Sequence, residues 1–165
     1  MIVQFQSSVI FVKDIARSRQ FYENLLQQKV AMDHGLNVGF EAGFALWQVE
    51  HARQTIFGVA GDTGQLGQRN FEIYFETDEL DTIYQQVTAA GAPFVHPIHE
   101  QPWGQRVFRV YDPDGHIVEM GEPMPVVILR FLSTGMSPDA IAQRTSMPLS
   151  IVQQIIQTAN AGATT

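Results

Sequence analysis

The sequence predicts an α+β protein in which two βαβββ modules form a curved mixed sheet around a cavity, with helices outside, followed by a helical tail. Three observations carry this. A β-rich stretch leading into a helical one, opening at Ser7, recurs at Glu72. The segment Trp103 to Met120 reads as two strands joined by a tight turn. After Gly121 the breaker Glu122-Pro123-Met124-Pro125 ends the β pattern, and helical periodicity takes over.

In the first module, Ser7 to Lys13 is β-rich. Asp14 suits a helix N-cap before Ile15–Leu26, where Ile15, Tyr22, Leu25 and Leu26 supply apolar contacts. Strands follow from Val38 to Val49, turning at Gly43. The second module opens with Glu72-Ile73-Tyr74-Phe75-Glu76. Its helix, Leu80 to about Ala90, places Leu80, Ile83, Tyr84 and Val87 on one face, and Gly91 with Pro93 ends it. Strands from Arg106 to Gly121 close the module. Between the modules, Ala60 to Gln68 is Gly-rich and polar, as a linker should be. A unit with one helix and an open sheet cannot cover both sheet faces alone, so two units are expected to pair. The predicted organisation is a domain over 1–122, with modules of about 1–58 and 69–122, and a tail over 123–165.

Composition limits the function. Apolar residues make up 45% and charged residues 16%, which suits a packed core rather than a disordered chain. The chain has no cysteine, which removes disulfides and thiolate chemistry. A net charge of −7 disfavours nonspecific binding to nucleic acid or to anionic membrane. No apolar run approaches a membrane span. The start, Met1-Ile2-Val3-Gln4-Phe5, lacks a secretory pattern, so a cytoplasmic location is expected.

The turn Asp112-Pro113-Asp114-Gly115 is followed by Ile117-Val118-Glu119-Met120, a carboxylate within an apolar strand. A buried carboxylate needs a partner, a cavity or water. Strand alternation puts Phe71, Ile73 and Phe75 under the helix and Glu72, Tyr74 and Glu76 on the other face. With its Asp-Pro-Asp-Gly turn and Glu119, the segment resembles the closing hairpin of the vicinal oxygen chelate superfamily, which includes glyoxalase I, extradiol dioxygenases and bleomycin-resistance proteins. The resemblance covers roughly 1–122. It implies that Glu119 is a metal ligand. Carried across by position, it implies further sites at Ser7, at Glu72, and at Trp47 or Gln48 depending on the turn register, with Gln48 taken into the set. Glu72 would ligate or act as base. The implied metal is one divalent cation (Mg, Mn, Ni or Zn) acting as a Lewis acid in lyase, isomerase or dioxygenase chemistry. Two carboxylates without imidazole suit Mg²⁺ or Mn²⁺ better than nickel or zinc. The same carboxylates could instead line a pocket for an organic ligand.

His96 and His99 have ligand-like spacing, but Pro93, Pro97 and Pro102 argue for a loop at the cavity mouth. His116 is expected in solvent at its turn, and His34 and His51 have no companion ligands. Trp103 offers a broad apolar face with one donor, and Arg can fork onto a carboxylate or phosphate. Arg106 and Arg109 differ in strand parity, so at most one faces the cavity. Arg106, beside the Trp-Gly turn, is the expected one. In the tail, Val126–Leu132 and Pro138–Arg144 read as helices, and a last helix runs from Met147–Ser150 to about Thr158. The last two resemble a helix-turn-helix. From Met147 to Gln157, however, there is no Lys or Arg to meet phosphate. The expected role is a helical hairpin packed on the trough or on a partner. The expected protein binds or transforms a small organic molecule and is a homodimer. The alternatives are a metal-free sequestering protein and a ligand-sensing regulator that uses its tail.

Overall fold

The computed structural model describes residues 3–58 and 64–162. The predicted linker over 60–68 therefore lies partly outside the described residues. Two four-stranded sheets carry the fold. The first has the order β1-β4-β3-β2, built from β1 (Ser8–Val12), β2 (Val30–Asp33), β3 (Asn37–Phe40) and β4 (Phe44–Gln48). The second has the order β5-β8-β7-β6, built from β5 (Glu72–Glu76), β6 (Phe94–Glu100), β7 (Arg106–Tyr111) and β8 (Ile117–Gly121). The second order repeats the first, strand for strand, so the duplicated pattern in the sequence is a duplicated topology. Among the described residues the chain forms two compact units. One runs to Ile73 and takes in Gln86–Pro93 and Tyr111–Ile117; the other holds Tyr74–Gln85, Phe94–Val110 and the chain from Val118 onward.

In the first unit β1 runs parallel to β4, while β4–β3 and β3–β2 are antiparallel. Asp14 caps α1 (Ile15–Arg19), its carboxylate accepting from the Arg17 amide at 3.1 Å, and α1 continues as a π-helical turn over Gln20–Leu25. Tyr22 on that turn is fully buried against Phe44, whose ring stacks on Phe40 at 4.5 Å. Ile10, Val12, Val38 and Leu46 complete this face of the sheet. The Tyr22 hydroxyl donates to Asp112 Oδ2 at 2.9 Å, and Asp112 Oδ1 accepts from the amides of Asp114 and His116. The hairpin turn is thus tied to the first helix. His116 is not in open solvent as expected. Its Nε2 donates to the Phe11 carbonyl at 3.0 Å, because β1 is an edge strand with carbonyls to satisfy.

Val49 does not end a strand. It opens helix α2 (Val49–Phe57), for which Gln48 is the cap. In the second unit α3 (Leu80–Ala89) matches the predicted helix closely. Tyr84 of α3 meets Phe94 and Phe108 at 5.1 and 5.2 Å, so Phe108 and its parity mates face this helix. His96 and His99 lie on strand β6, not on a loop. Pro97 is tolerated there because β6 is an edge strand whose register shifts on both sides of His96.

The tail forms three helices, α4 (Met124–Ser133), α5 (Pro138–Thr145) and α6 (Leu149–Gly162). Pro125 stands in the first turn of α4, where a missing amide costs nothing, and Ser137 caps α5. Val127, Ile128, Phe131, Ile141, Ala142 and Val152 form their shared core. No helix among the described residues is long and apolar enough to cross a membrane.

Candidate functional site

Strand parity divides the second sheet into a helix-facing side (Phe94, Phe108, Val118, Met120) and an opposite side that carries Tyr74, Arg109 and Glu119. Glu119 is on that opposite side and is buried, 7% exposed. Its carboxylate forms an ion pair with Arg109 of the neighbouring strand. Arg109 Nη1 reaches His96 Nε2 at 3.1 Å. Because a guanidinium only donates, His96 accepts there and carries its hydrogen on Nδ1, which points at the Pro97 carbonyl (2.8 Å) and at His99 Nδ1 (3.1 Å). A second cluster lies on Tyr74, Trp103 and Gln105. The Tyr74 hydroxyl donates to Glu76 Oε1 at 2.8 Å and accepts from Gln105 Nε2 at 2.6 Å. Gln105 Nε2 also donates to the Glu122 carbonyl at 2.8 Å, and Gln105 Oε1 accepts from the Trp103 indole at 3.0 Å. Gly121 makes room for this. A Cβ there would lie 3.0 Å from Gln105 Nε2 and 3.1 Å from Tyr74 Cε2. Burial and the bond to Glu76 push the Tyr74 hydroxyl up to about 12.

The expected residues fall as follows. Glu119, Tyr74 and Trp103 belong to these clusters, and Tyr74 and Trp103 keep 45% and 40% of their surface exposed. Glu72 is exposed at the start of β5, with the parity of Tyr74 and Glu76. Ser7 is exposed just before β1, its hydroxyl donating to the Ser8 carbonyl. Two expectations are corrected. Arg106 does not face this side: it shares parity with Phe108, under α3, and forks onto Asp81 of that helix at 2.6 and 3.1 Å. That guanidinium holds the Asp81 carboxyl below its ordinary range. Arg109 takes the place given to Arg106. Gln48 pairs in register with Val12 and spends its side chain accepting from the His51 amide at 2.7 Å. The open-face residue of β4 is Trp47, opposite Phe11, with its indole donating to His51 Nδ1 at 2.8 Å. Gln105 escaped the sequence reading altogether. An amide has no motif of its own, and only its place beside Trp103 in the turn could have drawn notice.

The donor set does not fit a resident divalent cation. The oxygens of Glu119 already face a guanidinium, whose charge opposes a metal at the same place. The Nε2 lone pair of His96 is also taken by Arg109. Among the described residues no group of three or more His, Asp or Glu side chains is gathered to hold an ion. The first unit separately contains a cleft of about 550 Å³ along β1, lined by Ser8, Val9, Phe11, Gln68, Phe71 and His116 among others.

Comparison with known proteins agrees with the topology. A protein of unknown function from Agrobacterium tumefaciens str. C58 is 40% identical and superposes with a TM-score of 0.70, covering 74% of this chain and 96% of that one. A member of the glyoxalase/bleomycin resistance protein/dioxygenase superfamily from Sphaerobacter thermophilus is 25% identical with a TM-score of 0.57, covering 74% and 98%. A lactoylglutathione lyase from Agrobacterium tumefaciens, at 21% identity and a TM-score of 0.58 over 75% and 96%, shares the fold. An uncharacterized protein of Mycobacterium bovis is 28% identical over 95 residues, which is 58% of this chain and 62% of the length of that relative. The model of the glyoxalase-like domain matches residues 5–125. With that match and the repeated four-strand sheets, the chain belongs to the glyoxalase-like domain family, within the vicinal oxygen chelate fold.

Proposed function

We propose that this protein binds a small aromatic organic cation against the open side of the second sheet, without a metal, and sequesters it. The observation that carries this is the state of Glu119. Its charge is already matched by Arg109, so it serves as a fixed wall of the site rather than as an ion ligand. Beside it, two half-exposed rings, Tyr74 and Trp103, are held in place by Gln105. Glu72 and Glu76 share the parity of Tyr74 on β5. Rings flanked by carboxylates suit a flat cation, which gains from the ring faces and from the opposite charge. The net charge of −7 favours such a ligand over an anion. A lyase, isomerase or dioxygenase reaction would need a metal at Glu72 and Glu119, and the Arg109–Glu119 pair weighs against that.

The test is calorimetric titration with N-methylquinolinium, with quinoline carboxylate as the anionic control. Binding of the cation that weakens in Trp103→Ala and in Glu76→Gln supports the reading. Equal binding of both probes, or indifference to both substitutions, overturns it. The working form on this reading is a homodimer in the cytoplasm, and sedimentation of the purified chain tests the dimer. On this reading nucleic acid is a poor partner, since α6, the helix that would enter a groove, has no Lys or Arg to meet phosphate.

A further inference from the structure

The helical tail and the ring cluster share one short turn. Trp103-Gly104-Gln105 joins β6 to β7, and its two outer residues are the indole and the amide of the site. Its middle residue packs against the tail. Gly104 has φ +89, and a Cβ there would lie 2.2 to 2.3 Å from ring atoms of Phe131 on α4. The Phe131 ring therefore rests directly on the glycine backbone. Next to it, Arg130 Nη2 donates to the Gly104 carbonyl and, at 3.0 Å, to Glu122 Oε2, while Nη1 reaches Glu100 at 3.0 Å. Glu122 is 3% exposed. Its carbonyl accepts from Gln105, and its carboxylate also accepts from the amide and guanidinium of Arg106. One guanidinium thus grips both ends of the turn that holds Trp103 and Gln105. It spans the last residue of β6, the turn, and the residue after β8.

We propose that Arg130 is a positioning residue of the ligand site and that docking of α4 sets the affinity of the Tyr74–Trp103–Gln105 cluster. This deepens the function proposed above and rests on it for the ligand, but not for the coupling. Lifting the tail releases the Gly104 carbonyl and leaves the Glu122 carboxylate to Arg106 alone, so the turn that carries Trp103 and Gln105 loosens and the indole loses its orientation. By linkage the effect is reciprocal: a ligand that orders the indole tightens α4 onto the turn. Lysine cannot replace Arg130 here, because a single ammonium lacks the planar fork that reaches Glu100, Gly104 and Glu122 together.

The experiment uses the full chain in a Trp47→Phe background, which leaves Trp103 as the sole tryptophan. Arg130→Gln, Arg130→Lys and Phe131→Leu are compared for indole emission, acrylamide quenching and N-methylquinolinium affinity. Hydrogen exchange of α4 is followed with and without the probe. The expected result is a red-shifted, more quenchable Trp103 in all three variants, roughly fivefold or greater loss of affinity in Arg130→Gln, no rescue by lysine, and slower exchange in α4 when the probe binds. A merely structural Arg130 would lower the melting temperature and leave the indole emission of the folded protein unchanged. Unchanged emission and affinity in folded Arg130→Gln and Phe131→Leu would overturn the coupling. If the indole shifts in the variants but the parent chain ignores the probe, the coupling stands and the ligand assignment falls.

Discussion

Arg109→Met tests the central reading of the site, because it removes the positive charge beside a carboxylate that water scarcely reaches. The side chain of Glu119 is 9% exposed and that of Arg109 is 23% exposed. Stranding a charge in such a place costs about 3–5 kcal/mol, more than the pair adds over a neutral replacement. Glu119→Gln leaves the other partner, and water at the more open guanidinium reduces the loss to about 1–3 kcal/mol. Replacing both should cost less than Arg109→Met alone, because methionine and glutamine leave no charge unpaired. The coupling between the two substitutions is therefore expected to exceed the cost of Glu119→Gln, that is at least ~1 kcal/mol. Urea unfolding of the four proteins at neutral pH measures it, with thermal midpoints as a check at roughly 2–4 °C per kcal/mol for a chain of this size. The Arg109→Met deficit should also shrink in mild acid, where a proton can neutralise the stranded carboxyl. A double variant as damaged as Arg109→Met, or an Arg109→Met protein as stable as its parent, would refute the pairing argument.

Three further outcomes are expected. Tyr22→Phe removes a buried hydroxyl from Asp112 Oδ2 and should cost about 1.5–3 kcal/mol at neutral pH, read by urea unfolding. Burial raises the Asp112 carboxyl above its ordinary value, so the folded chain holds the proton more tightly than the unfolded one. This contribution to stability is present in acid and lost as pH rises through the raised value. The Tyr22 hydrogen bond opposes that loss, so the penalty of Tyr22→Phe should be smaller in acid than at neutral pH. Gly121→Ala presses a methyl onto Gln105 and Tyr74 and should cost about 1–3 kcal/mol while weakening N-methylquinolinium binding, seen by calorimetry. Titration with Mn²⁺, Ni²⁺, Zn²⁺ or Mg²⁺ should show no stoichiometric uptake that Glu119→Ala abolishes. Such uptake would restore the metal reading.

The elements were legible where one physical signal acted alone. Asp14 caps its helix, the apolar spacing of Leu80 to Val87 is a helix, and both expected turn glycines, Gly43 and Gly115, take positive φ. The site was legible in kind but not in parity. Arg106 and Arg109 lie on a strand that is apolar on both faces, Val107 on one and Phe108 on the other, so alternation could not say which arginine meets Glu119. Only the packing of Phe108 on Tyr84 decides it. The same one-residue ambiguity exchanged Gln48 for Trp47, and a slip of one residue turns a strand inside out. α2 was missed because its only buried side chains are Val49 and Ala52, too few to stand out from the strand before it. The tail shows the deeper reason. Read alone, its helices resemble a helix-turn-helix or a hairpin packed on the trough or on a partner, since together they close one apolar core of their own. Arg130 is the one charged residue of an otherwise largely apolar α4, which invites the reading of a solvated charge. Its meaning comes from Gly104, Glu100 and Glu122, three residues from different places in the chain that meet only when β6, β7 and β8 have paired. A side chain whose role depends on such a meeting has no signature in its own neighbourhood. For that reason sequence spacing passes over Gln105 and Arg130 and favours Arg106 over Arg109, although Gln105, Arg109 and Arg130 are the three bound into the site.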